Sequence, residues 1–298
     1  MTRMGIVARG ACIGLALSLV AACGGADSAP IAGGGGSGGG PTSTPTPTPT
    51  SGVSFANSPF GLGQTTPQQF AVLGSNVAAR DTDWGLSPDP SRLDTAFPFG
   101  IRVVTPDDFR LSIGSLGEGT MTLNGASGID QNGKITLLGF NALGGIGTLV
   151  ILLDADGAPL KSVASGYWSK MVRPADPYPY DSVVFLYGIP TPAEALPQTG
   201  GADYRSIQSG LVLHVDFETR AVTGTAAGEN GTTYALRNVL LSADRTTYTG
   251  EVVSADGNVA GVIDGRFAGT GAAEMMVRIN YTVPEGHAAA LIGLSRVS

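Results

Sequence analysis

Eight short strand-like segments fill the last hundred positions, and they constrain the fold more than any other feature of the chain. The breaks between them are short and rich in Gly, Asn and Asp, as at 228–231, 254–257 and 269–271. Such breaks are typical of β-hairpin turns. Eight antiparallel strands joined by hairpins can close into an up-and-down barrel, which leaves no strand edge unpaired. The predicted strands are Asp203–Ile207, Leu211–Phe217, Ala221–Ala226, Thr232–Leu241, Thr246–Val253, Asn258–Phe267, Glu274–Val283 and Ala288–Arg296.

Two of these segments show which residues share a face of the strand. Neighbouring residues of a strand point to opposite sides, so every second residue lies on one face. One apolar face per strand predicts a soluble barrel with a filled interior and a wet exterior. The two sets are Leu211, Leu213, Val215 and Phe217 against His214, Asp216 and Glu218, and Met275, Val277, Ile279 and Tyr281 against Glu274, Arg278 and Asn280.

The region before the barrel is also predicted to be β-rich. Alternation favours half-buried strands at Phe99–Val104 and Phe109–Ile113, and further strand signals follow up to Tyr187. Residues 51–95 have an irregular pattern broken by prolines, and no amphipathic helix of ten residues is found. The predicted fold class is therefore all-β, with an N-terminal β-rich region followed by a C-terminal eight-stranded antiparallel barrel.

The N-terminus carries the pattern of a bacterial lipoprotein signal. Arg3 and Arg9 precede a short apolar run, Ala11–Val20, which is too short to span a bilayer. The stretch Leu19–Cys23 resembles a lipobox, in which the cysteine is lipidated and becomes the new N-terminus. The alternative is an ordinary cleaved signal with an incidental cysteine. Lipidation at Cys23 would place the protein outside the cytoplasm, held to a membrane by acyl chains such as palmitate.

A tether follows the predicted lipid site. Gly33–Gly40 favours flexible coil, and the Pro-Thr repeat Pro41–Thr50 favours extended polyproline II at about 3.1 Å per residue. The predicted organisation is thus a signal peptide (1–22), a lipidated cysteine with its tether (23–50), a β-rich domain (51–190) and the barrel (191–298).

Charge and cysteine content exclude several functions. Residues 1–22 hold two arginines and no acid, so their removal changes the formal net charge from −7 to −9. A net acidic chain argues against nucleic acid and against electrostatic adhesion to anionic lipid. Both cysteines, Cys12 and Cys23, lie in the export signal. The folded part therefore has no disulfide, no thiolate metal site and no cysteine nucleophile.

The two histidines are the first candidates for chemistry. His214 lies on the polar face of a predicted strand beside Asp216, and His287 follows a predicted turn. His214 is interpreted either as a haem or metal ligand, as a pH-sensitive contact, or as a solvent-facing strand residue, and the last is favoured. His287 is interpreted in the same way. No metal site is predicted, and no cofactor is expected, with haem the one alternative.

Other motifs give little support for catalysis. Asp154-Ala-Asp156-Gly157 begins like a calcium loop but lacks its twelve-residue frame, so it is interpreted as a hairpin turn. Gly114–Gly117 misses the spacing of a serine nucleophile elbow, and no phosphate-binding loop is present. The chain is predicted not to be an enzyme. Paired carboxylates for glycoside chemistry stay open, because their separation depends on the fold.

The barrel segments resemble those of transferrin-binding-protein-B-type lipoproteins. Val215-Asp216-Phe217 with Val222-Thr-Gly224 is similar to a repeated strand pair of that family. The stretch from Gly265 to Glu274 follows the family pattern Gly-x-Phe-x-Gly-Pro-x-Ala-x-Glu, except that Thr270 stands for Pro; Val277 and Ile279 stand where a Gly and an aromatic usually follow. The likeness covers residues 187–298, including a closing strand around Gly293. Its residues, interpreted as structural, are Asp216, Phe217, Gly224, Gly265, Phe267, Gly269, Ala272, Glu274 and Gly293.

The resemblance implies a binding protein at the bacterial outer membrane, on its cell-surface or periplasmic face. Its partner would be another protein or an iron- or haem-type ligand, as in iron acquisition. The β-rich region before the barrel is similar only loosely to the "handle" of such proteins. In better-known relatives the partner-binding surface lies on loops and on the handle, so no ligand residue is carried over.

One aromatic-rich segment is the candidate contact surface. Exposed Tyr, Trp and Arg supply most of the binding energy of protein interfaces. The alternative is that these aromatics pack the junction between the two halves of the chain. The candidate residues are Tyr167, Trp168, Arg173, Tyr178 and Tyr180.

The leading hypothesis is a non-enzymatic, lipid-anchored binding protein of the bacterial envelope. The alternative is a structural or assembly lipoprotein of the envelope with no small-molecule ligand. An enzyme acting on cell-wall or carbohydrate substrates would need a deep cleft with two carboxylates.

Overall fold

A computed structural model describes residues 68–82, 85–88, 98–105, 108–129, 135–154, 156–207, 209–227, 233–255, 257–283 and 286–297 of the 298-residue chain. The predicted signal peptide, Cys23 and the tether lie outside the described residues. Almost all of the described chain is in β-strands, which confirms the predicted all-β class. None of the helices in these ranges is long and apolar enough to cross a membrane.

The C-terminal part closes into an eight-stranded antiparallel barrel, as predicted. Each strand pairs with the next along the chain, and the first pairs with the last through Tyr204 and Arg296. All eight predicted segments are barrel strands, with ends that differ by a few residues. They are β12 (Gly201–Arg205), β13 (Val212–Asp216), β14 (Ala221–Ala227), β15 (Thr233–Leu241), β16 (Thr247–Val253), β17 (Val259–Ala268), β18 (Glu274–Val283) and β19 (Gly286–Val297).

The barrel interior is filled by side chains around Phe267. The ring of Phe267 lies 5.6 Å from that of Phe217, 5.9 Å from that of Tyr204 and 6.1 Å from that of Tyr248. Such tilted aromatic pairs stabilise a core beyond the area that they bury. The predicted inward face of β13 is confirmed, because Leu213 and its alternate neighbours are buried.

Two further sheets precede the barrel. The smaller has four strands in the order β1-β4-β5-β6, and the larger has seven in the order β3-β2-β11-β10-β9-β8-β7. The strands of the small sheet are β1 (Gln68–Gln69), β4 (Phe99–Thr105), β5 (Asp108–Ile113) and β6 (Gly117–Thr120). Those of the large sheet are β2 (Ala71–Thr82), β3 (Gly85–Pro88), β7 (Thr122–Ile129), β8 (Ile135–Ala142), β9 (Gly145–Leu153), β10 (Pro159–Met171) and β11 (Tyr180–Gly188).

The two sheets pack face to face in a sandwich, which we call the handle. Its core joins apolar residues of both sheets, such as Leu111 from β5 and Phe185 from β11. The ring of Phe70 meets the ring of Tyr187 edge to face at 5.4 Å. Burial of these side chains supplies the stability that disulfides give to smaller exported domains.

The irregular pattern predicted for residues 51–95 is wrong over Ala71–Thr82, which forms the twelve-residue strand β2. This strand pairs with β11 over nine consecutive positions, from Ala71 with Gly188 to Ala79 with Tyr180. The sequence of β2 mixes glycine, serine and asparagine among its apolar residues, so it lacks alternation. The strand is therefore specified by a partner about a hundred residues away, not by its own pattern.

The wet exterior predicted for the barrel is wrong on one side, where the handle covers it. Met276 on the outer face of β18 is fully buried, and it packs in one cluster with Leu160, Val163 and Leu186 of the handle. Glu274, predicted to be polar and outward-facing, is also buried there, with 5% of its surface exposed. The junction between handle and barrel is thus a packed interface.

Candidate contact surface

One face of the large sheet is covered by the barrel at one end, and its other end carries exposed apolar side chains beside the buried Ser169 and Ser182. Val163 of β10 points to this side and packs against the barrel. Because alternate residues of a strand share a face, Tyr167 and Met171 point to the same side. Val163 and Met171 are eight positions apart, a length of about 26 Å along the strand. The end of this face that carries Met171 is therefore well away from the junction.

We call this end the contact face and define it by Ile146, Tyr167, Met171 and Tyr180. Ile146 lies opposite Ser169 in the strand pairing, and Met171 lies opposite Tyr180, so β9, β10 and β11 bring the four together. Ile146 is 62% exposed and Met171 is 51% exposed. Large apolar side chains exposed side by side on a sheet are typical of an interaction surface.

The contact face is uncharged. Among the described residues of β9, β10 and β11 that point to this side between Val163 and Met171, every side chain is apolar, hydroxyl-bearing or aromatic. Charged residues make up 14% of the whole chain, so their absence here is local. A face without charge loses little free energy when it is desolvated against a partner.

The turn that follows Met171 is held rigid from within. Arg173 donates from Nη1 to Asp181 Oδ1 at 2.6 Å and from Nη2 to the carbonyl oxygen of Tyr180 at 3.2 Å. The backbone N–H of Tyr178 donates to Asp176 Oδ1 at 2.9 Å. These bonds fix the loop that borders the contact face, so little conformational entropy would be lost there on binding.

The structure separates the five predicted contact residues. Tyr167 and Tyr180 lie on the contact face, half-buried, while Tyr178 lies in the adjoining turn. Arg173 is also half-buried, and its guanidinium group is used in hydrogen bonds within its own turn. Arg173 therefore stabilises the loop. A direct contact of Arg173 or Tyr178 with a partner stays a prediction.

The prediction that Trp168 is an exposed contact residue is wrong. Its side chain is fully buried in the sandwich core, and its Nε1–H donates to the carbonyl oxygen of Ala142 at 2.8 Å. Trp168 follows Tyr167 directly on β10, and neighbouring residues of a strand point to opposite faces. Tyr167 and Trp168 therefore cannot both lie on the same surface. Ile146 and Met171, which the sequence did not single out, take its place.

Several residues of the family-like pattern build the barrel core. A Cβ atom on Gly265 would lie 2.1 Å from Tyr248 Oη, whose hydroxyl donates to the carbonyl oxygen of Met276 at 2.9 Å. Tyr204 donates from its hydroxyl to the carbonyl oxygen of Ala272 at 2.7 Å. Glycine at position 265 therefore leaves room for a buried phenol.

The first strand pair of the pattern contains a capped turn and a close approach of two strands. Asp216 accepts hydrogen bonds from the backbone N–H groups of Glu218 and Thr219, and these bonds lower the pKa of its carboxyl. A Cβ atom on Gly224 would lie 2.3 Å from the carbonyl oxygen of Val212. Both residues thus have a structural explanation.

The remaining residues of the pattern meet the handle. Glu274 accepts backbone N–H bonds from Lys161 at 2.6 Å and Ser162 at 2.9 Å. Gly269 lies against Ser162, and Gly293 lies against Leu152. Burial raises the pKa of Glu274, and the backbone N–H groups oppose that rise.

In the part of the chain that the structure describes, His214 has no group around it that would complete a metal site. His214 is exposed, and its Nδ1 lies 2.7 Å from Asp203 Oδ1 on the neighbouring strand. Within the described ranges, no three His, Cys, Asp or Glu side chains cluster as a metal site would require. His287 lies in β19, and its side chain is outside what the structure describes.

Asp154 occupies the turn that was predicted for it. Its carboxylate accepts N–H bonds from Asp156 at 2.9 Å and Ala158 at 2.8 Å, and Gly157 has a positive φ of 80°. The carboxylate is thus used within the hairpin, which confirms the interpretation as a turn.

The sequence matches no protein-family description and no curated protein. Among solved structures, the chain is similar to apo haemoglobin receptor HpuA from Kingella denitrificans, with 14% identity, a TM-score of 0.42, and coverage of 84% of this chain and 91% of that one. It is similar to a transferrin-binding protein B variant from Haemophilus parasuis, with 14% identity, a TM-score of 0.40, and coverage of 76% and 45%. It is also similar to a surface lipoprotein, with 14% identity, a TM-score of 0.38, and coverage of 76% and 99%. The fold is assigned from the strand pairing within this chain.

Proposed function

We propose that this chain is a non-enzymatic binding protein of the bacterial outer membrane, anchored by lipid at Cys23, which captures a protein or an iron- or haem-type ligand. The observation that carries the proposal is the contact face, where exposed apolar side chains lie together without charge beside a rigid turn. Side chains fill the interior of the barrel, so a partner would bind at the surface of the protein.

The predicted anchor fits such a role. A lipidated Cys23 and the tether that follows it up to residue 50 would hold the handle and barrel away from the membrane. Labelled palmitate should enter the wild-type protein and not a Cys23→Ser variant. Digestion of intact cells with protease should remove the protein, whereas a chain untouched by protease would favour the periplasmic assembly role.

Binding can be measured with three named probes: haemoglobin, transferrin and haemin. The first two are the ligands in the names of the similar proteins above. The detergent-solubilised lipoprotein should bind one of them in a surface-binding assay, with haemin also followed by its absorbance. Failure to bind any of the three would leave the assembly lipoprotein as the better account.

A charge placed on the contact face should weaken that binding. Ile146→Lys and Met171→Lys each put an ammonium group where the partner would exclude water, and an unpaired buried charge is costly. We expect each to raise the Kd about tenfold, which corresponds to about 1.4 kcal/mol.

The matched control is Leu240→Lys. Leu240 is 55% exposed on the outside of the barrel, so the same change of charge is made at a similar exposure on another surface. Its Kd and Tm should equal those of the wild type. Equal Kd values for all three variants would contradict the assignment of the contact face.

A further inference from the structure

The handle strand β10 carries a bulge where it meets the barrel. Pro159 pairs with Leu153 and Ala164 pairs with Ile151, so four residues of β10 stand against one residue of β9. The backbone N–H groups of this bulge that would otherwise bond to β9 need another acceptor, because buried N–H groups without a partner are rare.

The barrel supplies that acceptor through one carboxylate. Glu274 accepts from Lys161 N with Oε1 and from Ser162 N with Oε2, and the N–H of Val163 adds a further favourable interaction. In the described part of the chain, no Lys, Arg or His side chain donates to Glu274. The carboxylate of Asp154 on the handle also acts on Glu274 and raises its pKa.

The barrel surface is shaped to receive the bulge. A Cβ atom on Gly269 would lie 2.6 Å from Ser162 Oγ, and one on Gly293 would lie 2.7 Å from Leu152 and 2.9 Å from Leu160. Gly269 also has a positive φ of 77°, a conformation that glycine adopts without strain. The bulge therefore fits a depression that only small residues can form.

We propose that the backbone N–H groups of Lys161, Ser162 and Val163 form a carboxylate-binding nest on the handle, which the barrel occupies through Glu274 and which fixes the handle on the barrel. Successive N–H groups that converge on one point bind anions in this way, and hydrogen bonds to a charged acceptor are the stronger kind. Glu274 is then a positioning residue, and the nest is a site for any small carboxylate once Glu274 is removed.

The test is chemical rescue of Glu274→Ala in the full mature chain. The substitution leaves buried donors unpaired, so we expect the Tm to fall by about 5 to 10 °C. Sodium formate should restore much of this loss, and sodium chloride at equal ionic strength should not, because formate supplies the missing carboxylate. A Tm that is unchanged by the substitution, or that formate fails to raise, would overturn the proposal.

Glu274→Gln is the matched control. Its amide fills the same space, so formate cannot enter, and we expect a lowered Tm without rescue. If formate raised the Tm equally in the Ala variant, the Gln variant and the wild type, its effect would be a general effect of salt. That result would overturn the proposed nest. If the Ala variant fails to fold, amide hydrogen exchange of the wild-type protein decides. Residues 161–163 should then exchange as slowly as the paired residues of β10, and rapid exchange would contradict the proposal.

Discussion

Replacing Trp168 with alanine is expected to lower the free energy of unfolding by about 4 kcal/mol, the largest loss for any single truncation in the handle. The side chain is fully buried between the two sheets, so its removal leaves a large cavity. It also leaves the carbonyl oxygen of Ala142 without its donor, which adds to the cost. Urea denaturation of the wild type and the variant measures the difference.

Tyr167→Ala is the control beside it. Tyr167 is half-buried on the contact face, one position along the same strand. We expect about 1 kcal/mol of destabilisation and a clear loss of partner binding, the reverse of the pattern for Trp168. A Trp168→Ala variant as stable as the wild type would contradict the buried position of the indole.

Replacing Gly265 with alanine is expected to cost about 3 kcal/mol, although only one methyl group is added. The new Cβ atom would lie 2.1 Å from Tyr248 Oη and 2.2 Å from the carbonyl oxygen of Met276, so both would have to move. The buried hydrogen bond between those two groups would break as well. Thermal and urea denaturation would show the loss.

A double variant separates the two causes. Tyr248→Phe removes the hydroxyl that the alanine methyl group would meet, so Gly265→Ala should cost less in the Tyr248→Phe background than in the wild type. The coupling between the two sites should exceed about 0.5 kcal/mol. If the losses in the free energy of unfolding were strictly additive, the Tyr248 hydroxyl would not be the reason that position 265 requires glycine.

The barrel could be predicted from the sequence because each of its strands is paired with its neighbours in the chain. Alternation then reports the inward face directly, as at Leu213 and Val277, and short turns such as that before Asn258 mark the hairpins. The information that specifies these strands is local. The prediction that the outer face of β18 is exposed to solvent was wrong for the same reason. The handle covers that face, and alternation within a strand cannot show a contact with a distant part of the chain.

The contact face and the nest depend on contacts that no local pattern encodes. Glu274 reaches Lys161 across 113 positions, and β2 is specified by pairing with β11. Tyr167 and Trp168 look equivalent in the sequence, and the face that each occupies is decided by which side of β10 the small sheet covers. Strand period alone could have warned that only one of the two would be exposed.

Oxidation of Met171 with and without a bound partner tests the contact face most directly. Met171 is 51% exposed, whereas Met121, Met275 and Met276 are at most 3% exposed, and Met1 and Met4 belong to the predicted signal peptide. Hydrogen peroxide should therefore convert Met171 to the sulfoxide first in the full mature chain, as mass spectrometry of its peptides would show. We expect the bound partner to slow this reaction at Met171. An oxidation rate at Met171 that is the same in the free protein and in the complex would contradict the account.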